Sequence, residues 1–320
     1  MKKKLFLVGL LAALSCAAAP KVIIDTDVGS STDDLFAFEL AAKFHKDGLF
    51  ELAAVMIDRP GADNLAFTDA YLHYHGLDDV PIGTIEGATA GQFVFVPYST
   101  LVHTNDVSGK PVLPRATNRS GAVMDAVRLY RKLLAAAPDA SIDICAIGFF
   151  TNLMRLLDTK PDEFSTLPGA ELIAKKVRTL RIMAGSFDHS LDHPEYNVWG
   201  DVPSARRIFS SWPTPIVCTP YEVGVRVYYP CAEVREDFPA GHPIAWSYRF
   251  WDPDGERSKS QLMWDPMTVL GLADYVKAFG KGADGLPHVA AAQSPLAHLA
   301  NYPIAYENYA GARRIVIFGK

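Results

Sequence analysis

The chain has 320 residues, of which 49% are hydrophobic and 21% are charged, and its formal net charge is −5. This composition is typical of a globular protein with a large hydrophobic core, in one large α/β domain or two smaller ones. The negative charge disfavours a surface that binds nucleic acid.

The first 19 residues have the pattern of an export signal. Lysines at positions 2–4 precede an apolar stretch over residues 5–14, which small residues follow; this stretch is too short to span a bilayer. We therefore expect residues 1–19 to be a signal peptide and residues 20–320 to be a single domain that is periplasmic or otherwise exported. The alternative is a lipoprotein signal, in which Cys16 carries lipid and anchors the chain to a bacterial membrane.

Strand-like and helix-like patterns alternate along the rest of the chain. The β-branched and apolar runs predict strands over residues 21–24, 52–57, 80–85, 142–147, 177–183 and 216–219. Helical spacing of apolar residues predicts helices over residues 35–44, 63–74, 121–136, 151–157 and 204–209. This alternation predicts an α/β fold with an open, mostly parallel sheet flanked by helices. Residues 232–262 have the composition of an insertion or a lid-like region.

Four carboxylates lie where the first strand turns into the first helix: Asp25, Asp27, Asp33 and Asp34. In open α/β sheets, ligands bind outside the carboxyl ends of the strands. Like charges this close repel one another, which raises pKa values or recruits a cation, and oxygen ligands suit calcium or magnesium.

Two other interpretations of this junction stay open. Asp33 can cap the helix, with Asp34 favoured in its first turn by the helix dipole. A haloacid dehalogenase-type phosphatase also places two aspartates two residues apart after its first strand, but the later lysine and acidic pair of that family are not evident.

Three later segments also carry polar groups at the ends of predicted strands or the starts of predicted helices. Thr151 follows the strand over residues 142–147 and either offers its carbonyl to a metal or caps the next helix. Residues 193–201 crowd polar groups beside aromatic ones. Asp265 precedes an apolar helix, as a metal ligand or as a helix cap.

Taken in order, these four segments resemble the inosine/uridine-preferring nucleoside hydrolase family over nearly the whole chain after the leader. They are similar to its N-terminal aspartate signature, its threonine loop, its glutamate-aromatic-asparagine motif and its late calcium-aspartate motif. The resemblance implies an open sheet related to the doubly wound, Rossmann type. It also implies a catalytic domain over residues 20–320 that hydrolyses the N-glycosidic bond of ribonucleosides with bound calcium, releasing base and ribose for nucleoside salvage. The implied partner is a small-molecule nucleoside, with no nucleic acid, and the chain is expected to form a homo-oligomer.

The resemblance also implies a role for individual residues. Asp27 would bind calcium and act as the general base on its water, and Asp25 would support the cluster. The implied metal ligands are Asp27, Asp34, Thr151 and Asp265. The implied substrate-binding residues are Asp33, Glu195, Asn197, Tyr196 and His189.

Two departures from the family pattern affect the prediction. Trp264 stands where many members have a histidine that protonates the leaving base, and Trp264 and Asp58 match the purine-preferring branch, so we expect a purine nucleoside stacked on Trp264. A core aromatic at the start of a helix is the alternative for Trp264.

The second departure is the length of the loop after the first strand. Three residues separate Gly29 from Asp33 where the family usually has one. This leaves open whether Asp33 or Asp34 is the bidentate ligand.

A nucleoside- or ribose-binding protein that kept the calcium site but lost turnover is an alternative from another functional class. The complete opening cluster of carboxylates argues against it.

The cysteines show no metal motif. Cys145 is expected in the core, and a disulfide between Cys218 and Cys231 stays open.

Overall fold

The computed structural model describes residues 19–29, 31–87, 98–116, 123–187, 194–251 and 261–272, together with four short strands nearer the carboxyl terminus. The predicted leader with Cys16, His189 of the predicted substrate site, and residues 252–260 of the predicted lid-like region lie outside the described residues. Within the described part of the chain, no helix has both the length and the apolar character needed to cross a membrane.

Among the described residues, the main sheet has nine strands. They are β1 (Lys21–Thr26), β2 (Glu51–Ile57), β3 (Ile82–Thr84), β4 (Val123–Asp125), β5 (Ile142–Ala146), β6 (Val177–Met183), β7 (Ile216–Thr219), β12 (Tyr306–Glu307) and β13 (Ile315–Phe318). Two small antiparallel pairs are formed by β8 (Tyr228–Tyr229) with β9 (Gln261–Leu262), and by β10 (Phe279–Lys281) with β11 (Pro287–Val289). The order in the main sheet is β12-β13-β7-β6-β5-β1-β2-β3-β4, and of these described strands only β12 runs antiparallel to its neighbour.

Helices flank this sheet as the sequence predicts. They are α1 (Asp33–Lys46), α2 (Ala62–Tyr74), α3 (Ala126–Ala136), α4 (Thr151–Leu157), α5 (Gly169–Lys176), α6 (Tyr196–Gly200), α7 (Val202–Ser211), α8 (Tyr221–Gly224), α9 (Cys231–Asp237), α10 (Pro243–Trp251) and α11 (Trp264–Leu270). A 3-10 helix spans Tyr98–His103. The prediction of an α/β fold with an open, mostly parallel sheet is confirmed.

The predicted helix over residues 121–136 begins later than expected. Val123–Asp125 forms strand β4, and the side chain of Asp125 accepts a hydrogen bond from the backbone N–H of Arg128 at 3.0 Å. Because an N-cap residue has a non-helical backbone, this cap ends the extended segment and starts α3. Helix α5 was not predicted.

The described part of the predicted lid-like region belongs to the core. Phe238 and Ile244 are buried, and the ring of Phe238 lies 5.8 Å from that of Phe36 in α1. Its aromatic residues therefore pack against the first helix. Cys145 is buried as predicted, and Cys218 is a buried free thiol, so it forms no disulfide with Cys231.

The strand order reverses between β1 and β5. From β1 the chain moves through β2 and β3 to β4 at one side, and from β5 it moves through β6 and β7 to the other. In open α/β sheets such a switch point opens a crevice at the carboxyl ends of the two central strands. The four segments of the predicted site meet at this edge.

Gly148 allows the central strands to approach one another there. A Cβ atom at this position would lie 2.4 Å from the backbone nitrogen of Asp27 and 2.6 Å from Oδ2 of Asp58. Real Cβ atoms do not approach backbone atoms this closely, so a larger residue would push the ends of β1 and β5 apart.

We predict that Gly148→Ala destabilises the protein by about 1–3 kcal/mol, the usual cost of inserting a methyl group into a packed interior. Thermal and denaturant unfolding would measure the change. Gly241→Ala is the matched control, because a Cβ there has no heavy atom within 4 Å. Equal stability of the two variants would contradict this account of the sheet edge.

Candidate active site

The acidic residues gather at the carboxyl ends of β1 and β2. Asp25 and Asp27 stand at the end of β1, and Asp58 follows β2, its backbone N–H bonded to the carbonyl of Thr26 at 2.9 Å. Asp33 begins α1, and the N-cap is Thr32 rather than Asp33, so the capping interpretation of Asp33 is wrong. The strand end, the loop and the helix start therefore bring the four predicted carboxylates together.

Three of the buried carboxylates converge closely enough to hold one cation. One oxygen each from Asp33, Asp34 and Asp265 lies within 4.8 Å of the others. Hydroxyl groups orient two of them: Ser31 donates to Asp33, and Thr26 donates to Asp34. The site thus combines Asp34 and Asp265 of the predicted metal set with Asp33, which the resemblance assigns to ribose.

Burial and mutual repulsion act on this acidic group. Desolvation is the largest cause that raises the pKa of Asp33, to about 6, and it raises the pKa values of Asp34 and Asp265 well above their ordinary range. Repulsion among neighbouring carboxylates adds to the rise. A divalent cation would relieve both effects, since it replaces lost hydration and compensates the charge.

Two further aspartates lie beneath the crevice. Asp25 is fully buried and accepts hydrogen bonds from the Tyr130 hydroxyl at 2.8 Å and the Asn152 amide at 3.0 Å. Burial raises the pKa of Asp25 to about 7, against the lowering effect of these bonds. The supporting role of Asp25 stays a prediction.

Asp58 is the member of the group without a hydrogen-bond donor among the described residues. Its side chain is fully buried, and its carboxyl group faces that of Asp25. Burial, followed by repulsion from Asp25 and Asp27, raises the pKa of Asp58 well above its ordinary value. A buried carboxylate without a donor is costly, so the oxygens of Asp58 fit a ligand or cation that completes the site.

Arg59 is a site residue that the sequence analysis missed. Its Nη2 lies 2.8 Å from Oδ2 of Asp27, and its Nε donates to the backbone carbonyl of Asp27 at 3.0 Å. The sequence signal was a single arginine directly after Asp58, at the end of a predicted strand. It was missed because an arginine in this position is usually a solvated surface residue.

The threonine loop is linked to the start of α7 by a hydroxyl group. Thr151 is the first residue of α4, with Phe150 as the N-cap, and its Oγ1 donates to the Asp201 carboxylate. The capping interpretation of Thr151 is therefore wrong. The assignment of its carbonyl to the metal stays a prediction.

The glutamate-aromatic-asparagine segment lies at the end of β6. Glu195 is the N-cap of α6, and its carboxylate accepts backbone hydrogen bonds from Gly185, Asn197 and Val198 at 2.8–3.1 Å. The Asn197 amide donates to the carbonyl of Met183 at 3.1 Å, and the Tyr196 hydroxyl lies 3.3 Å from Arg59 Nη2. The structure thus places all three residues beside the acidic group, and their contacts to ribose stay predictions.

Trp264 stands next to Asp265 at the start of α11. Its ring is stacked on Tyr221, with centroids 5.6 Å apart, and its Nε1 donates to the Tyr221 carbonyl at 3.1 Å. The indole is only partly buried. The N-cap residue of α11 is Met263, whose side chain makes no capping hydrogen bond, so the capping interpretation of Asp265 is wrong.

A second group with metal-type side chains binds helices together. Nε2 of His75 and Nε2 of His242 both lie 3.1 Å from Oε2 of Glu39. The Nδ1 atom of His242 accepts the backbone N–H of Ile244, and Nδ1 of His75 lies 3.4 Å from the ammonium of Lys46. Because Nδ1 of His242 accepts a hydrogen bond, its Nε2 carries the proton that faces Glu39. The group therefore suits a polar link between α1 and the residues beside α2 and α10 better than a metal.

Solved structures with the same fold include several nucleoside hydrolases. A plant nucleoside hydrolase, PpNRh1, is 18% identical with a TM-score of 0.60 and 94% coverage of both chains. A purine-preferring ribonucleoside hydrolase from Gardnerella vaginalis is 15% identical with a TM-score of 0.60, covering 93% of this chain and 92% of the other. The type III effector protein XopQ, in complex with adenosine diphosphate ribose, is 16% identical with a TM-score of 0.65, covering 94% and 88%.

Among curated protein sequences, none matches this chain. Residues 22–300 match the family model for inosine-uridine preferring nucleoside hydrolase. This span contains every acidic residue of the site described above, and the match decides among the three functional interpretations of the sequence. The chain belongs to the inosine-uridine preferring nucleoside hydrolase family and is an N-glycosidic bond hydrolase that acts on nucleosides.

Proposed function

We propose that this enzyme hydrolyses purine ribonucleosides and that it requires calcium. The observation that supports the metal is the convergence of Asp33, Asp34 and Asp265, each at most 4% exposed, with carboxylate oxygens within 4.8 Å of one another. An oxygen-only ligand set suits a hard cation. Residues Asp34 and Asp265 would hold the ion together with Asp27 and Thr151, as in the family, and Asp33 lies close enough to join them.

When bound, calcium would orient the attacking water and ease its deprotonation. Residues of the protein remove the proton and stabilise the charge on the sugar. Asp27 removes a proton from the water, whose oxygen bonds to C1′ as the bond from C1′ to the base nitrogen breaks. The buried carboxylates around the ribose favour the positive charge that develops on the sugar ring.

The electron pair of the broken bond leaves with the base, which then takes a proton. Trp264 does not supply that proton, because its indole N–H donates to the Tyr221 carbonyl and is not acidic. We propose that solvent protonates the base. Stacking on the electron-rich indole favours the protonated purine, which is a better leaving group.

The preference for purines is supported by the aromatic pair of Tyr221 and Trp264. The two rings are inclined by only 27°, and Trp264 directly precedes Asp265 of the acidic group. A flat aromatic surface beside the acidic group suits a two-ring base, which offers more area for stacking than a pyrimidine does.

We also propose that the enzyme acts outside the cytoplasm on scavenged nucleosides. The support is the leader, in which lysines at positions 2–4 precede an apolar stretch and small residues. Whether a signal peptidase cleaves the leader or Cys16 carries lipid can be determined by mass spectrometry of the mature amino terminus.

We predict that chelation of divalent cations abolishes release of reducing sugar from inosine and that added calcium restores it. Asp34→Asn should need a higher calcium concentration for half-maximal activity, because it removes one ligand charge. Asp106→Asn, in an exposed loop, is the control. Full activity of the metal-free wild-type enzyme would contradict the calcium proposal.

Asp27→Asn tests the general base. We expect kcat to fall by about 10²–10⁴-fold, the usual contribution of a positioned base. Binding of the nucleoside, followed by calorimetry, should persist. An unchanged kcat would show that another group accepts the proton.

Trp264→Ala tests the stacking of the base. We expect kcat/KM for inosine and guanosine to fall roughly tenfold to a hundredfold, as for the loss of ~1–3 kcal/mol of base stacking, and to fall less for uridine. Trp264→Phe keeps an aromatic face and should retain most of the purine preference. An equal loss for purines and uridine would argue that Trp264 acts only in packing.

A further inference from the structure

We infer that Arg59 is a positioning residue that fixes the general base Asp27 and weakens the affinity of the acidic group for a divalent cation. This inference rests on the proposed function. It concerns a residue that the sequence motifs leave out and that lies in the centre of the site.

Arg59 holds Asp27 at two points. Its Nη2 binds the carboxylate oxygen Oδ2 at 2.8 Å, while its Nε donates to the backbone carbonyl at 3.0 Å. One guanidinium group therefore fixes both the backbone and the side chain of Asp27. A planar arginine fork can make such a paired contact, whereas the single ammonium of lysine cannot. The other carboxylate oxygen, Oδ1, stays available to the ion and to the attacking water.

The guanidinium is confined to this position. Arg59 is 6% exposed, its guanidinium carbon lies 5.3 Å above the centre of the Phe149 ring, and its Nη2 is 3.3 Å from the Tyr196 hydroxyl. The attraction of a cation for an aromatic face adds to the ion pair. The positive charge of Arg59 is therefore a permanent part of the site rather than a surface charge screened by solvent.

This charge offsets the negative charge of Asp27 beside the group that converges on a cation, since Asp27 lies close enough to raise the pKa values of Asp33, Asp34 and Asp265. Asp33, Asp34 and Asp265 bring their oxygens together, and within the described residues Asp27 does not join that group. Instead its Oδ2 is paired with Arg59. The guanidinium thus neutralises one carboxylate beside the metal position and repels a divalent cation, so the base keeps its own counter-charge.

The test measures calcium binding by titration calorimetry with the metal alone, at a fixed, mildly alkaline pH, on the full chain. Arg59→Met and Arg59→Gln leave Asp27 without its counter-charge. We expect both to bind calcium about tenfold more tightly than the wild type, because a negative charge is uncovered next to the ion. Both should also show a lower kcat, since the base is no longer held.

Arg59→Lys distinguishes charge from geometry. It keeps the positive charge, so calcium affinity should stay near that of the wild type, while kcat falls because the two-point hold is lost. Arg178→Met is the matched control, because it removes an arginine that pairs with a buried carboxylate, Asp143. Arg178 is the second residue of β6 and Asp143 is the second residue of β5, so the pair lies at the edge of the sheet opposite the site. Its calcium affinity should be unchanged.

Unchanged or weaker calcium binding in the neutral Arg59 variants, with a wild-type enzyme that binds calcium, would overturn the inference. Thermal melting identifies a variant that does not fold, in which case the other neutral variant decides. If the wild-type enzyme binds no calcium yet hydrolyses inosine, the calcium proposal fails instead. The titration of the wild type thus separates the two failures.

Discussion

The structure depends on holding many carboxylates in a small buried volume. Asp25, Asp27, Asp33, Asp34, Asp58 and Asp265 are each at most 7% exposed. Burial opposes the charge of each one, and the negative charges oppose one another. Such a group persists only where hydrogen bonds, a basic partner or a bound cation compensate it. The other features of the site are ways of supplying that compensation.

Each aspartate is compensated differently. Asp25 has neutral donors, Tyr130 and Asn152. Asp27 has the charge of Arg59. Asp33 and Asp34 have hydroxyl donors but lie close to Asp265, where a cation fits. Within the described structure Asp58 has no donor and faces the carboxyl group of Asp25. The carboxylates of one crevice therefore range from fully hydrogen-bonded to open, and the proposed roles of support, base and cation ligand follow that range.

Much of this site could be predicted from the sequence. The alternation of apolar runs predicts the parallel sheet, and the carboxyl ends of parallel strands share one edge, so Asp27 and Asp58 had to lie near one another. The loop after β1 was harder to predict, because capping and metal binding use the same residue types. Thr32 rather than Asp33 caps α1, since a cap is decided by the backbone angles of the turn. The residues of α9 and α10 have the composition of a lid, yet Phe238 packs against Phe36, because aromatic residues bury their area wherever the tertiary fold allows.

The sequence by itself determined the class of fold, the family and the identity of the acidic residues, since these follow from local periodicity and from motifs a few residues long. Only the tertiary structure decided which groups pair. Arg59 reaches Asp27, and Asp33 and Asp34 reach Asp265 through contacts between residues far apart in the chain. Local propensity carries no information about such distances. The pairing of Asp27 with an arginine and the convergence of Asp33, Asp34 and Asp265 are therefore properties of how the strands and helices pack.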